Sequence, residues 1–158
     1  GGGDGAATVN QVFTWLGGLP LRSRRGALGS EHEPWRFDAQ RLIDDGAVDA
    51  LLWVSSFRAA PVPALAGPRI VLGLPALAAY LGDEANTVFI PVSTPGLHTA
   101  GHLCRADGVV MLPLHRVLPS AWPSVAEVAT RLAESLSTRV VGGQQPPSPG
   151  RVTSGAAA

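Results

Sequence analysis

DALLWVSSFRAAPVPALAGPRIVLGLPALAAYLGDEANTVFIPV, residues 49–92, holds three short apolar runs separated by chain breakers. DALLWVSS (49–56), RIVLGL (69–74) and TVFIPV (87–92) are rich in Val, Ile and Leu and too short for helices of ordinary length. Continuous apolar runs of this kind suit strands buried on both faces, as in parallel sheets. Three prolines between Ala59 and Pro68 make the first connection a loop. Pro75 to Leu81 suits a short helix stopped by Gly82. Strand, crossover, strand, crossover, strand predicts an α/β fold: a Rossmann-like, mostly parallel, three-layer sheet with helical cover.

C-terminal to this unit the pattern changes. GHLCR and VVMLPL flank Ala106-Asp107-Gly108, and Asp-Gly between apolar runs predicts a terminal β-hairpin. Ser124 and Glu127 form a capping box. Val125, Val128, Ala129, Leu132 and Leu136 then share one face of a C-terminal helix. From residue 142 the chain is GGQQPPSPGRVTSGAAA, a Pro/Gly/Ser-rich tail with little to bury. One α/β domain over residues 1–141 and a tail over 142–158 are expected. Such a tail suits an extended arm along a neighbouring subunit.

Upstream, VNQVFTW (9–15) fits a helical turn or a short strand equally well. Residues 17–30 carry three arginines, four glycines and a proline, and read as a long loop. Pro34 opens a helical pattern with Phe37, Leu42 and Ile43 as its apolar stripe, ended by Gly46.

Composition removes whole classes of chemistry. All twelve basic residues are arginine, so there is no P-loop lysine and no Schiff-base lysine. Twelve acidic residues balance them, which leaves no basic footprint for nucleic acid. No apolar run is long enough to span a bilayer, so no membrane partner is expected. Cys104 is the lone cysteine, which rules out an all-cysteine zinc or iron–sulfur site and a disulfide framework within these 158 residues. That usage, and an opening with no basic start and apolar stretch, point to a cytoplasmic setting. The first residue is Gly1, not Met, which keeps a longer gene product open.

Few residues are candidates for chemistry. His98, His102 and Cys104, with His115 beyond the hairpin, are the sharpest group, since imidazole and thiolate suit zinc. His98-Thr-Ala-Gly-His102 lacks the Glu of a metallohydrolase motif, and Gly101 disfavours the helix that would align its histidines. Arg22, Arg24 and Arg25 would suit a phosphate or an acidic partner; a solvated loop accounts for them more simply. Glu31, His32 and Glu33, and Asp44 with Asp45, read as charges at helix ends. Gly1 to Gly5 lacks the preceding strand that a dinucleotide loop requires. No GxSxG nucleophile elbow occurs. The residues themselves therefore assign no catalytic, cofactor-binding or metal site.

VNQVFTWLGGLP (9–20), DDGAVDALLWVSS (44–56), RIVLGL (69–74), ANTVFIPVSTPGLHTAGHLCRADGVVMLPL (85–114) and PSVAEVATRLAE (123–134) come in an order that resembles the later part of B subunits of formylmethanofuran dehydrogenase, in the molybdopterin oxidoreductase family. Their cysteine cluster and catalytic Cys or selenocysteine have no counterpart here. Where that pattern places a Glu, this chain has the His98–His102 segment, and the loop after Leu74 is only Pro75-Ala-Leu-Ala-Ala. These losses resemble the non-redox B subunits of bacterial formyltransferase/hydrolase complexes. The resemblance implies a non-catalytic structural subunit without cofactor, packed with other subunits of a hetero-oligomer. Such a complex serves tetrahydromethanopterin- and methanofuran-linked one-carbon metabolism, from formaldehyde to formate. The alternatives are a fragment of a molybdenum- or tungsten-pterin enzyme and a small zinc hydrolase.

Overall fold

The computed structural model describes residues 5–81, 85–105 and 107–142, with the side chains of 139–142 left aside. The Pro/Gly/Ser tail expected from residue 142 lies almost wholly outside this range. Two compact units are present, one ending at Val125 and one beginning at Ala126.

Three parallel strands form the centre of the first unit, in the order β3 (Leu51–Ser55), β4 (Arg69–Gly73), β5 (Thr87–Pro91). This is the α/β arrangement that the apolar runs predict. Val71, Leu77 and Leu81 form the core on one face of this sheet, with Trp53, Ala59, Val62 and Phe89 packed around them. Trp53, Val71 and Phe89 are lateral neighbours in register, so their side chains share that face. The crossover between β4 and β5 is a 3-10 turn, Pro75–Tyr80, with Pro at its start. It delivers Leu77 onto the sheet fully buried, a contribution of ~1.5–3 kcal/mol. Gly73 makes this approach possible: a Cβ there would lie 2.5 Å from Leu77 Cδ2. Trp53 Nε1 is buried and has no hydrogen-bond partner among the described residues.

The hairpin is also present: β6 (Gly101–Cys104) pairs antiparallel with β7 (Met111–Leu114), and Gly108 in its turn has φ 72°. The undecided segment near Val9 is helical, α1 (Ala6–Gly17), closed by Gly18 at φ 75°. Thr8 on this helix accepts the Cys104 backbone N–H at 2.9 Å and so ties α1 to the hairpin.

Two expectations are corrected. Residues 17–30 are not all loop: β1 (Ser23–Gly26) pairs with β2 (Gly29–His32). No apolar alternation marks this hairpin. Cross-strand charge holds it instead, with Arg24 opposite Glu31 and their side chains 2.9 Å apart. Pro34 does not open the next helix, because residues 34–37 form a turn and α2 begins later, at Ala39–Asp44. Asp38 sets that start, since its carboxylate accepts the Arg41 N–H and pairs with Arg22 at 3.0 Å. Gly46, at φ 64°, ends it as expected.

The second unit is built on α3 (Val125–Gly142), with Glu127 in its first turn. No helix among the described residues is long and apolar enough to cross a membrane.

Gly73→Ala is expected to lower unfolding stability by ~1–3 kcal/mol, because Leu77 must leave its place. Leu77→Ala should lower it by ~2–5 kcal/mol through the cavity left behind. Urea titration followed by tryptophan fluorescence reads both, and an unchanged midpoint for Gly73→Ala would refute the close packing.

Candidate interaction surface

Ligands of open parallel sheets usually sit beyond the carboxyl ends of the strands. Here that rim is laced by the chain itself. Leu74 N–H donates to Ser55 O at 3.2 Å and Val92 N–H to Gly73 O at 2.9 Å. Ser55 Oγ donates to Arg58 O at 2.7 Å. The backbone N–H and Oγ of buried Ser93 both donate to Pro123 O, at 2.8 and 3.1 Å. At the opposite end, buried Arg69 donates to Thr87 Oγ1 at 3.0 Å and to Pro63 O at 3.1 Å, a structural brace.

The zinc candidates do not assemble. His98 Nδ1 accepts the Thr94 N–H at 3.3 Å, closing its own loop. His102 and His115 are exposed, whereas Cys104 is buried with its sulfur 3.4 Å from Met111 Sδ. Among the described residues no group of three or more His, Cys, Asp or Glu is placed to hold a metal. The spacing put His102 and Cys104 on one strand face, but it could not tell that Cys104, tied to α1 at Thr8, is buried while His102 stays exposed.

Most of the charged candidates are engaged locally. Arg22 meets Asp38, Arg24 meets Glu31, and Arg25 donates to Gly17 O at 3.2 Å, so the three do not converge on an anion. Arg36 also reaches Glu31, at 3.8 Å. Arg24 and Arg36 both lie over the Phe37 ring, 5.4 and 5.5 Å from its centre. Together they border a shallow cavity of about 400 Å³ floored by Phe37, Leu42 and Ala47. His32 Nδ1 lies 3.3 Å from Ser23 Oγ. Asp44 accepts from Gln40 at 2.9 Å and Asp45 from Arg41 at 3.4 Å, both i,i+4 pairs along α2.

Apolar surface is what remains. On α1, Val9, Phe13 and Leu16 follow one helical stripe and all face solvent. On the sheet, the face opposite the core carries two rows in register: Leu52–Ile70–Val88 and Val54–Leu72–Ile90. All six are aliphatic. Leu72 is 2 % exposed, but Leu52 is 59 %, Val54 48 % and Val88 58 % exposed. Periodicity showed these strands to be apolar on both faces; it could not show that one face would stay partly open.

An α/β module with a built core, self-paired charges and open apolar strips is a module made to be packed against. No family model matches the chain. Over 138 residues, 87% of the chain, it is 32% identical to the B subunit of the formyltransferase/hydrolase complex of Methylorubrum extorquens. A chain in the crystal structure of that organism's formyltransferase/hydrolase complex, solved with methylofuran, superposes at a TM-score of 0.71 with 27% identity over 89% of this chain. The chain is therefore a relative of these B subunits, as the ordered sequence pattern indicated. It spans 38% of the length of the Methylorubrum B subunit and 40% of the matched chain in the crystal structure.

Asp107 closes the β6–β7 turn. Its carboxyl is held below the ordinary value by the Arg105 guanidinium first and then by the Val109 N–H. A carboxylate depressed on folding contributes stability at neutral pH that is lost as pH falls through its folded-state value. An NMR titration of Asp107 should therefore give a midpoint below that of a free aspartate, rising in Arg105→Ala; equal midpoints would refute the pairing. Zinc measured on protein purified without chelator is expected well below one atom per chain, and His102→Ala should leave it unchanged.

Proposed function

We propose that the chain is a non-catalytic structural subunit of a formyltransferase/hydrolase complex. It would act in tetrahydromethanopterin- and methanofuran-linked one-carbon metabolism, between formaldehyde and formate. The observation that carries this reading is the 138-residue match to the B subunit of such a complex. The local pairing of the arginine candidates and of Asp44 and Asp45 supports a packing role, and the open apolar strips on α1 and the sheet supply surfaces for it. Its partners are the other subunits of the complex, it works in the cytoplasm, and it contributes no cofactor of its own.

Affinity purification of the tagged chain from its source cells tests this directly. Formyltransferase- and hydrolase-type subunits are expected with it in fixed proportion, together with formyl-transfer activity and without molybdenum, tungsten or pterin. Recovery of the chain alone overturns the reading. Pterin and metal tracking with the chain would instead favour a redox enzyme of the molybdopterin class.

A further inference from the structure

We propose that the open rows of the sheet, Leu52–Ile70–Val88 with Val54 beside them, are the docking surface for a helix from the part of a B-type subunit that this chain does not span. The proposal rests on the kinship to B-type subunits and deepens it by naming the surface and its occupant. Parallel strands joined by crossovers bury both faces, and helices are what they bury against. One face here is sealed by the Pro75–Tyr80 turn and its core. The other is aliphatic at every position of two adjacent rows, yet it is open at Leu52, Val54 and Val88.

Three observations select the occupant. No charged or polar side chain interrupts the six positions, so the matching surface is an aliphatic stripe, as along one side of an amphipathic helix. A second copy laid face to face would make a sandwich of two parallel sheets, which this strand class avoids. The match covers only 38% of the related subunit, so more than half of a B-type subunit lies outside this module and is available to cover it.

The test places a photo-crosslinking residue at position 52 or 88 of the tagged chain in its source cells and maps the adducts by mass spectrometry. Both positions are expected to join apolar residues of one helix in B-type sequence outside residues 1–158. Adducts within the same chain, to a second copy (read by mixed isotope labelling), or to another subunit of the complex overturn the proposal, as does the absence of adducts. Val88→Arg, with circular dichroism and melting temperature unchanged, is expected to reduce co-purification of that B-type sequence by about tenfold or more. Leu28→Arg, on the solvent-exposed β1–β2 turn, should not. Undiminished co-purification with Val88→Arg also overturns it. The two readings fail separately. If the complex co-purifies while residue 88 cross-links elsewhere, the docking surface is wrong and the complex stands. If no formyltransferase or hydrolase subunit appears but residue 88 still joins B-type sequence, the reverse holds.

Discussion

Strand β4 is hydrogen-bonded along both edges, to β3 and to β5, and the first unit is arranged around that fact. A strand flanked on both sides has no route to water except through its two faces. Four of its five residues are buried, including Arg69, which is tolerated because Thr87 and the Pro63 carbonyl take its N–H groups. Parallel pairing forces long connections, and each has to return over the sheet. The Pro75–Tyr80 turn makes that return while burying Leu77 against Gly73. The core is therefore small and one-sided, and the other face of β4 depends on whatever covers Leu72.

Charge in this chain stabilises local shape. With lysine absent, each cation is a planar guanidinium suited to directed, multi-point contact. Arg24 pairs across β1–β2, Arg22 holds the cap of α2, and Arg105 fixes Asp107 in the hairpin turn. Exposed pairs of this kind are individually weak, about 0–1 kcal/mol. Their effect lies in selecting turn and register where little apolar surface does so. They also explain why a count of acidic and basic residues said so little about a site, since these charges pair off one with another instead of converging.

What was legible in the sequence follows from the same physics. The three strands were readable because side chains that are apolar on both faces leave a continuous apolar run, and the terminal hairpin because Asp107-Gly108 permits the reversal. The β1–β2 hairpin was missed because its strands, SRRG and GSEH, carry no apolar alternation and are held by ion pairs, which periodicity does not register. The start of α2 was misplaced because Pro34 and Asp38 are both good initiators, and what favours the second is the Asp38 cap on Arg41 N–H, held by Arg22 from sixteen residues upstream. The kinship was readable in ordered segments spread along the chain. The histidine group was visible as composition but not as geometry, because strand position alone does not say which residue of a strand is buried.

The open aliphatic rows and the short span of the match bear on one another. A module of this size buries a smaller fraction of its apolar surface than a full subunit would. A three-stranded parallel sheet has little internal means to close both faces, and the described parts of its crossovers are an extended Pro-rich loop and one 3-10 turn. The first covers Trp53 through Ala59 and Val62, and the second covers Val71 through Leu77 and Leu81, all on the core face. These residues of both connections thus pack on one side. Leu52 and Val88 lie on the two edge strands of the other side, flanking the central strand that carries buried Leu72. Exposure concentrated at those edges is what a sheet shows when its second helical layer comes from outside the segment that forms its strands.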